Sequence, residues 1–268
     1  MIEKYYRPAD LREAAVLKSE NPNAVYLAGG TQVNRAPAKR KIPEEVIDIR
    51  DVVSAGIKKE GTDVVIGGMT TLQELADSSV IPAALKDAAG FIPTRSVRNQ
   101  ATIGGNLGAG RPDSYLIPVL IALTAEARTA EGNIPVEDYI RDGHEELILD
   151  VHVPLPVGAC VVVKESRSHV ALPVVSAAVS LTVDEGLPNY GLSGACVAVG
   201  CVAAKTIRLT EVEQAIVSGN LKNRKDVEAA VSHSINPKAD ILGSVEYKTH
   251  INSVVIADAV IRCQEALA

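Results

Sequence analysis

Val25-Tyr26-Leu27-Ala28-Gly29-Gly30-Thr31-Gln32-Val33-Asn34 opens on a short apolar run and breaks into a paired-glycine turn. A second such stretch, Ala101-Thr102-Ile103-Gly104-Gly105-Asn106-Leu107, follows later in the chain. Glycine has no Cβ and tolerates φ > 0, so successive backbone N–H groups can converge on an anion while Thr, Asn and Gln side chains add neutral donors. Taken alone, a Gly-Gly turn is ordinarily a tight strand-to-helix connection. The two together point to one nucleotide held from two sides. Neither stretch has GxGxxG spacing, and neither carries the lysine of a P-loop.

Outward from these turns the pattern alternates short strands and helices. Asp10, with Glu13 three residues on, forms a capping pair for a helix that ends near Asn21-Pro22. Residues 24–28 and 45–49 read as strands, with a basic, proline-bearing loop or short helix over 35–41 between them. A strand over 63–67 leads to Thr70 and Gln73, spaced as a second capping box. Residues 82–89 read as a helix, Leu116, Val119, Leu120 and Leu123 recur at helical spacing, and strands follow over 126–129 and 147–153. Strand-turn-helix units of this kind signal a mixed helix and sheet domain. Beyond Pro154-Leu155-Pro156 come three long β-branched or small-apolar runs, over 160–165, 174–183 and 192–203. They read as strands of a separate antiparallel sheet with a turn at Asp184-Glu185-Gly186. Helices over 210–218, 223–232 and 249–267 follow, the last amphipathic.

The chain has 268 residues, 47% of them hydrophobic and 22% charged, enough for a substantial core and about two domains. A net charge of −6 gives no electrostatic reason to expect nucleic acid or an anionic membrane. The start, Met1-Ile2-Glu3-Lys4-Tyr5, lacks the order of a signal peptide, and the apolar stretch over 116–123 is far short of a membrane span. A cytoplasmic protein is expected. Cys160, Cys196, Cys201 and Cys263 are too scattered for a disulfide scaffold or a cluster, and read as buried structural thiols. The five histidines show no metal spacing, and no carboxylate pair is nominated for acid–base work.

In these two glycine stretches the chain resembles the FAD-binding subunit of xanthine dehydrogenase-type molybdenum hydroxylases, in their short bacterial form. Arg7-Pro8, Ile66-Gly67-Gly68-Met69-Thr70-Thr71-Leu72, Ser96-Val97-Arg98-Asn99-Gln100, Lys164-Glu165-Ser166-Arg167-Ser168 and Tyr247-Lys248 before the last helix extend the likeness over nearly the whole length. The resemblance implies an α+β fold: a two-lobed FAD-binding domain of the PCMH type over 1–157, with lobes about 1–55 and 56–157. A smaller α/β C-terminal domain with antiparallel sheet and helices would fill 158–268. It implies noncovalent FAD, since no His lies in or beside either glycine turn, with molybdopterin and a 2Fe–2S cluster in partner subunits. Ala28, Gly29, Gly30, Thr31, Gln32, Val33 and Asn34 would form the first phosphate-facing turn, and Thr102, Gly105 and Asn106 the second. Ile148 would pack against the isoalloxazine, and the Lys164 side chain would approach the flavin. The flavin itself carries the redox chemistry, so no catalytic side chain is required.

One position departs from the family. An Asp ten residues after the second glycine, suited to accept from ribose hydroxyls, is here Tyr115, and Asp113 lies two residues earlier. The expected function is an electron-transfer subunit that passes electrons from an iron–sulfur partner through FAD to NAD or another acceptor. A stand-alone PCMH-type flavin oxidoreductase and a cofactor-free structural subunit are the alternatives.

Overall fold

In the N-terminal lobe, Asp10 caps a helix by accepting from Glu13 N, while the Glu13 carboxylate accepts from Ala9 N. The computed structural model describes residues 2–33, 43–184, 191–221 and 223–267. Strand β1 (Lys4–Tyr6), helix α1 (Leu11–Glu20), β2 (Val25–Leu27) and β3 (Glu45–Asp48) build this lobe. Its three strands are parallel in the order β1-β3-β2, around Ala14, Ala24, Ile47, Ile49 and Val53. The expected loop over 35–41 lies outside the described residues.

Asp48 ends the central strand at 2% exposure, its carboxylate held by Arg50 Nη2 at 2.5 Å and by the Tyr5 hydroxyl. Burial pushes this carboxyl up, but the hydrogen bonds from Arg50 and Tyr5 outweigh it and hold it at about 2, below its ordinary 3.8. A carboxyl depressed by folding stabilises the chain fully above its unfolded value, and that stabilisation is lost as pH falls through the folded one. Unfolding titrations should therefore show a loss of about 2 kcal/mol between pH about 4 and about 2. Asp48→Asn should remove that part of the slope, and an unchanged slope would contradict the assignment.

The second lobe contains β4 (Ile57–Glu60), β5 (Asp63–Gly67), α2 (Leu72–Asp77), α3 (Ala83–Gly90), α4 (Arg95–Arg98), α5 (Ile103–Ala109) and α6 (Leu116–Ala122). It continues through β6 (Glu126–Arg128), β7 (Asn133–Pro135), α7 (Val136–Asp142) and β8 (Asp150–Pro154). Its strands pair antiparallel in the order β4-β5-β8-β6-β7. The capping box falls one residue later than expected, on Thr71 and Glu74. Thr70 is fully buried, and its hydroxyl bonds both N and O of Gly56, so it is unavailable as a cap. The strand expected over 147–153 begins only at Asp150, which leaves Ile148 in the approach to it.

The C-terminal sheet is antiparallel in the order β12-β11-β10-β9, formed by β9 (Gly158–Ser166), β10 (Pro173–Val183), β11 (Leu192–Gly200) and β12 (Ile207–Arg208). Helices α8 (Thr210–Val217), α9 (Arg224–Ser234) and α10 (Val245–Leu267) cover one face. Tyr247 and Lys248 thus lie inside the last helix rather than before it. The strand expected to run to 203 stops at Gly200, because Cys201 turns to φ 66. The turn expected at 184–186 falls mostly outside the described residues.

This sheet is separate in its pairing but not in its packing. Along β10, Val175, Ala177, Val179 and Leu181 face the helices, whereas Ala178 joins the core of the second lobe, as the period of two requires. On that second face Ser176 Oγ donates to Ser114 O at 2.7 Å and Ser180 Oγ to Ala122 O at 2.6 Å. Small residues there let α6 lie close, and the serines bond the Ser114 carbonyl just before the helix and the Ala122 carbonyl at its C-terminal end, one of the carbonyls a helix leaves unpaired. Helix α6 is buried on every side, and its Pro118 sits in the first turn, where no N–H is needed.

Candidate functional site

The two glycine stretches meet. A Cβ built on Gly29 would lie 1.6 Å from the carbonyl oxygen of Gln100, so the first turn rests directly on backbone leading into the second. Gly30, at φ 70, turns the chain there in a conformation that L side chains rarely adopt. The second stretch is the first turn of α5, with Thr102 as its N-cap. Backbone bonds tie it to the β5–α2 turn: Ile103 N donates to Thr70 O, Gly104 N to Gly68 O, and Leu72 N to Ala101 O. Gly68 N in turn donates to Leu149 O, and a Cβ on Gly68 would lie 2.6 Å from Ile148 O. Three glycine turns and the approach to β8 are thereby pressed together.

Two connected depressions lie over this junction. The smaller, about 80 Å³, is lined by Ala28, Gly29, Gly30, Thr31, Gln32 and Val33 from the first stretch. Thr102, Gly105 and Asn106 line it from the second, with Ile92 and Val97 beside them. The larger, about 330 Å³, shares Tyr26, Ala28, Gln32, Val33 and Gly105. It continues past Gly68 and Gly104 to Tyr139, Glu146 and Ile148. That volume falls within the range of about 300–1,000 Å³ usual for small-ligand sites.

Most of the residues read from the sequence are thus brought together. Asn34 lies outside the described residues. Gly105 N donates to Thr102 Oγ1 at 3.1 Å, so this glycine supplies room for an approaching group rather than a free amide. Asn106 Oδ1 accepts from Ser114 Oγ at 2.6 Å, which leaves the NH₂ of its amide as the donor end. Ile148 and Lys164, expected on one ring, line different depressions. Lys164 comes from β9: its Nζ donates to Phe91 O at 3.2 Å and lies 4.9 Å from the Phe91 ring centroid and 5.6 Å from that of Tyr115. Neither Lys164 nor Phe91 lines the smaller depression, which is reached by Ile92, the chain neighbour of Phe91.

Neither candidate ribose ligand reaches the cleft. Asp113 takes two hydrogen bonds from Arg111 at 2.7 Å. Tyr115 stacks edge-on against Phe91, and burial pushes its hydroxyl up to about 12. Burial likewise pushes up the thiols of Cys196, Cys201 and Cys263, each to about 12, so none is a ready nucleophile. Ile92, Tyr139 and Glu146 had no signal in the sequence, because each arrives from a different element, whereas Tyr26 lies in the first glycine stretch but is not singled out there as a site residue.

Residues 1–156 match the family described as the FAD binding domain in molybdopterin dehydrogenase. The chain belongs to this family. Residues 162–263 match the CO dehydrogenase flavoprotein C-terminal domain. The chain is 37% identical to the uncharacterized protein YgfM of Escherichia coli over 99% of its own length and 98% of that protein. It is 25% identical to the xanthine dehydrogenase FAD-binding subunit of Escherichia coli over 96% and 95% of the two lengths. A solved chain of Cu,Mo-CO dehydrogenase superposes with a TM-score of 0.84 at 27% identity, covering 99% of both chains.

As a molybdopterin dehydrogenase FAD-binding chain, the protein is an oxidoreductase component, and its cleft fits the cofactor. Gln32 Oε1 is buried with no hydrogen-bond partner among the described residues, an arrangement that an incoming donor resolves. The glycine junction leaves bare backbone, with the Thr31 and Thr102 hydroxyls and the Asn106 amide around the smaller depression, as a pyrophosphate requires.

Proposed function

We propose that this chain is the FAD-carrying electron-transfer subunit of a heteromeric molybdenum hydroxylase or dehydrogenase of the xanthine dehydrogenase type. It takes electrons from a 2Fe–2S subunit beside a molybdopterin-binding subunit and passes them to NAD or another acceptor in the cytoplasm. The observation that carries the reading is the junction of two glycine turns over one cleft with an orphaned acceptor in its wall. Among the described residues no helix is long and apolar enough to cross a membrane. The name of one relative, the xanthine dehydrogenase FAD-binding subunit, supports a multi-chain assembly.

In this reading Gly29, Gly30, Thr31, Thr102, Gly105 and Asn106 surround the pyrophosphate. Ile148 packs against the adenosine half, in the larger cavity, rather than against the flavin ring. Ile92, Val97 and, through Phe91, Lys164 lie toward the ring, where the C-terminal domain meets the second lobe. FAD, when bound, supplies electron transfer in one- and two-electron steps. The protein's part is to hold it, orient it and keep one edge open.

Acid precipitation should release all the flavin as FAD and leave a colourless pellet, and the isolated chain should oxidise no purine. Flavin retained in the pellet would contradict noncovalent binding. Purine turnover by the single chain would favour the self-sufficient oxidoreductase. Gly105→Val adds a graded test, because a Cβ at this position lies 2.9 Å from Thr102 Oγ1 and intrudes on the smaller depression. FAD affinity should fall about tenfold to a hundredfold, each tenfold being about 1.4 kcal/mol, while circular dichroism shows the fold retained. Equal affinity would remove Gly105 from the site.

A further inference from the structure

The cleft is polarised. Around the smaller depression stand two threonine hydroxyls and the Asn106 amide, beside the first glycine turn, Gly29-Gly30, while the Gly105 amide is already bonded to Thr102 Oγ1. The wall of the larger cavity carries the carboxylates of Glu145 and Glu146 and the Gln32 amide, and its one lysine, Lys18, already donates to Pro22 O and Ala24 O at 2.9 Å and lies 3.8 Å from Glu145. Gln32 Oε1 is buried with no hydrogen-bond partner among the described residues, and Gln32 lines both compartments. Glu146 lines the far wall, 27% exposed, with His144 Nδ1 at 3.0 and 3.1 Å from its two carboxylate oxygens. His144 is itself fixed, stacked on Tyr139 at 25° with ring centroids 5.7 Å apart, and the Tyr139 hydroxyl donates to Glu146 O at 2.9 Å. A carboxylate repels a phosphate and attracts hydroxyl and amino donors. The larger cavity therefore suits the hydroxyl- and amino-bearing end of a dinucleotide and rejects its pyrophosphate.

We propose that Glu146 and Gln32 are the acceptors that bind the adenosine half of FAD, Glu146 through the ribose hydroxyls, with His144 as the positioning residue for its carboxylate. This rests on the reading of the chain as an FAD-binding subunit. It gives that cleft a carboxylate ligand which neither Asp113 nor Tyr115 provides, and it makes the chain selective for FAD over FMN.

The test is titration of the apo-protein with FAD, FMN and ADP, following flavin fluorescence and displacement of bound FAD by ADP. Glu146→Gln should weaken FAD and ADP about tenfold and leave FMN unchanged. His144→Ala should move FAD and ADP in the same direction by less, and it serves as the second reading if Glu146→Gln does not fold. FAD and ADP bound by Glu146→Gln as tightly as by the parent would overturn the inference and leave the FAD reading standing. An equal loss for FAD, FMN and ADP would also overturn it, because a merely structural role moves all three together. A parent chain that binds no FAD would bring down the reading on which the inference rests.

Discussion

Gly29→Ala is expected to abolish useful FAD binding, lowering affinity by about a hundredfold or more, roughly 3 kcal/mol at 1.4 kcal/mol per tenfold. The new methyl carbon would lie 1.6 Å from Gln100 O, and its obstacle is backbone, not a side chain able to rotate away. Either the first turn lifts off the second or the segment before α5 moves, and both open the pyrophosphate site. Overpacking of this kind also costs about 1–3 kcal/mol of fold stability, so the thermal midpoint should fall as well. Gly90→Ala is the control: a Cβ there meets nothing within 4 Å, and FAD affinity should stay at the parent value. Flavin titration checks both, and parental affinity for Gly29→Ala would break the link between the two glycine turns.

Glu213→Ala should destabilise the chain by about 3 kcal/mol, within the 3–5 kcal/mol expected when one partner of a buried ion pair is removed. Glu213 is 6% exposed and accepts from Val197 N at 2.9 Å and from Arg208 Nε and Nη2 at 3.0 and 2.6 Å. Arg208 also donates from Nη1 to Glu137 Oε2 at 2.9 Å, so the group joins the C-terminal sheet to α7 of the second lobe. Removing the carboxylate strands a buried strand amide and half of a guanidinium's partners. Thermal unfolding should drop by roughly 6–12 °C, at about 2–4 °C per kcal/mol for a chain of this size. Glu213→Gln keeps an acceptor for Val197 and should lose less. A midpoint within a degree of the parent for Glu213→Ala would contradict this account of the domain junction.

What was legible in the sequence was local or periodic. Asp10 and Glu13 announced a helix because a cap acts over three residues, and the long β-branched runs announced strands because their burial is continuous. The capping box slipped by one residue because Thr70 and Thr71 offer the same hydroxyl. Only the tertiary bond of Thr70 to Gly56 separates their roles. Helix α5 was not visible within Ile103-Gly104-Gly105-Asn106-Leu107-Gly108-Ala109, where three glycines argue against a helix. It forms because Thr102 caps it and Gly68 O receives Gly104 N, contacts no local pattern encodes.

The site divided in the same way. Gly29, Gly30, Gly105 and Thr102 could be read because their chemistry lies in contiguous motifs. Tyr139 and Glu146 could not, since they converge from α7 and the approach to β8. Ile148 and Lys164, both expected at the flavin ring, line different depressions for the same reason. One sits beside Gly68 in the larger cavity and the other on β9 against Phe91.

Whether one FAD bridges both glycine turns is decided by a crystal structure of the chain grown with FAD. One FAD per chain is expected, its pyrophosphate between Gly29–Thr31 and Thr102–Asn106 and its adenosine in the cavity walled by Tyr26, Tyr139 and Glu146. Density for FAD elsewhere on the chain, or touching only one of the two turns, would contradict it.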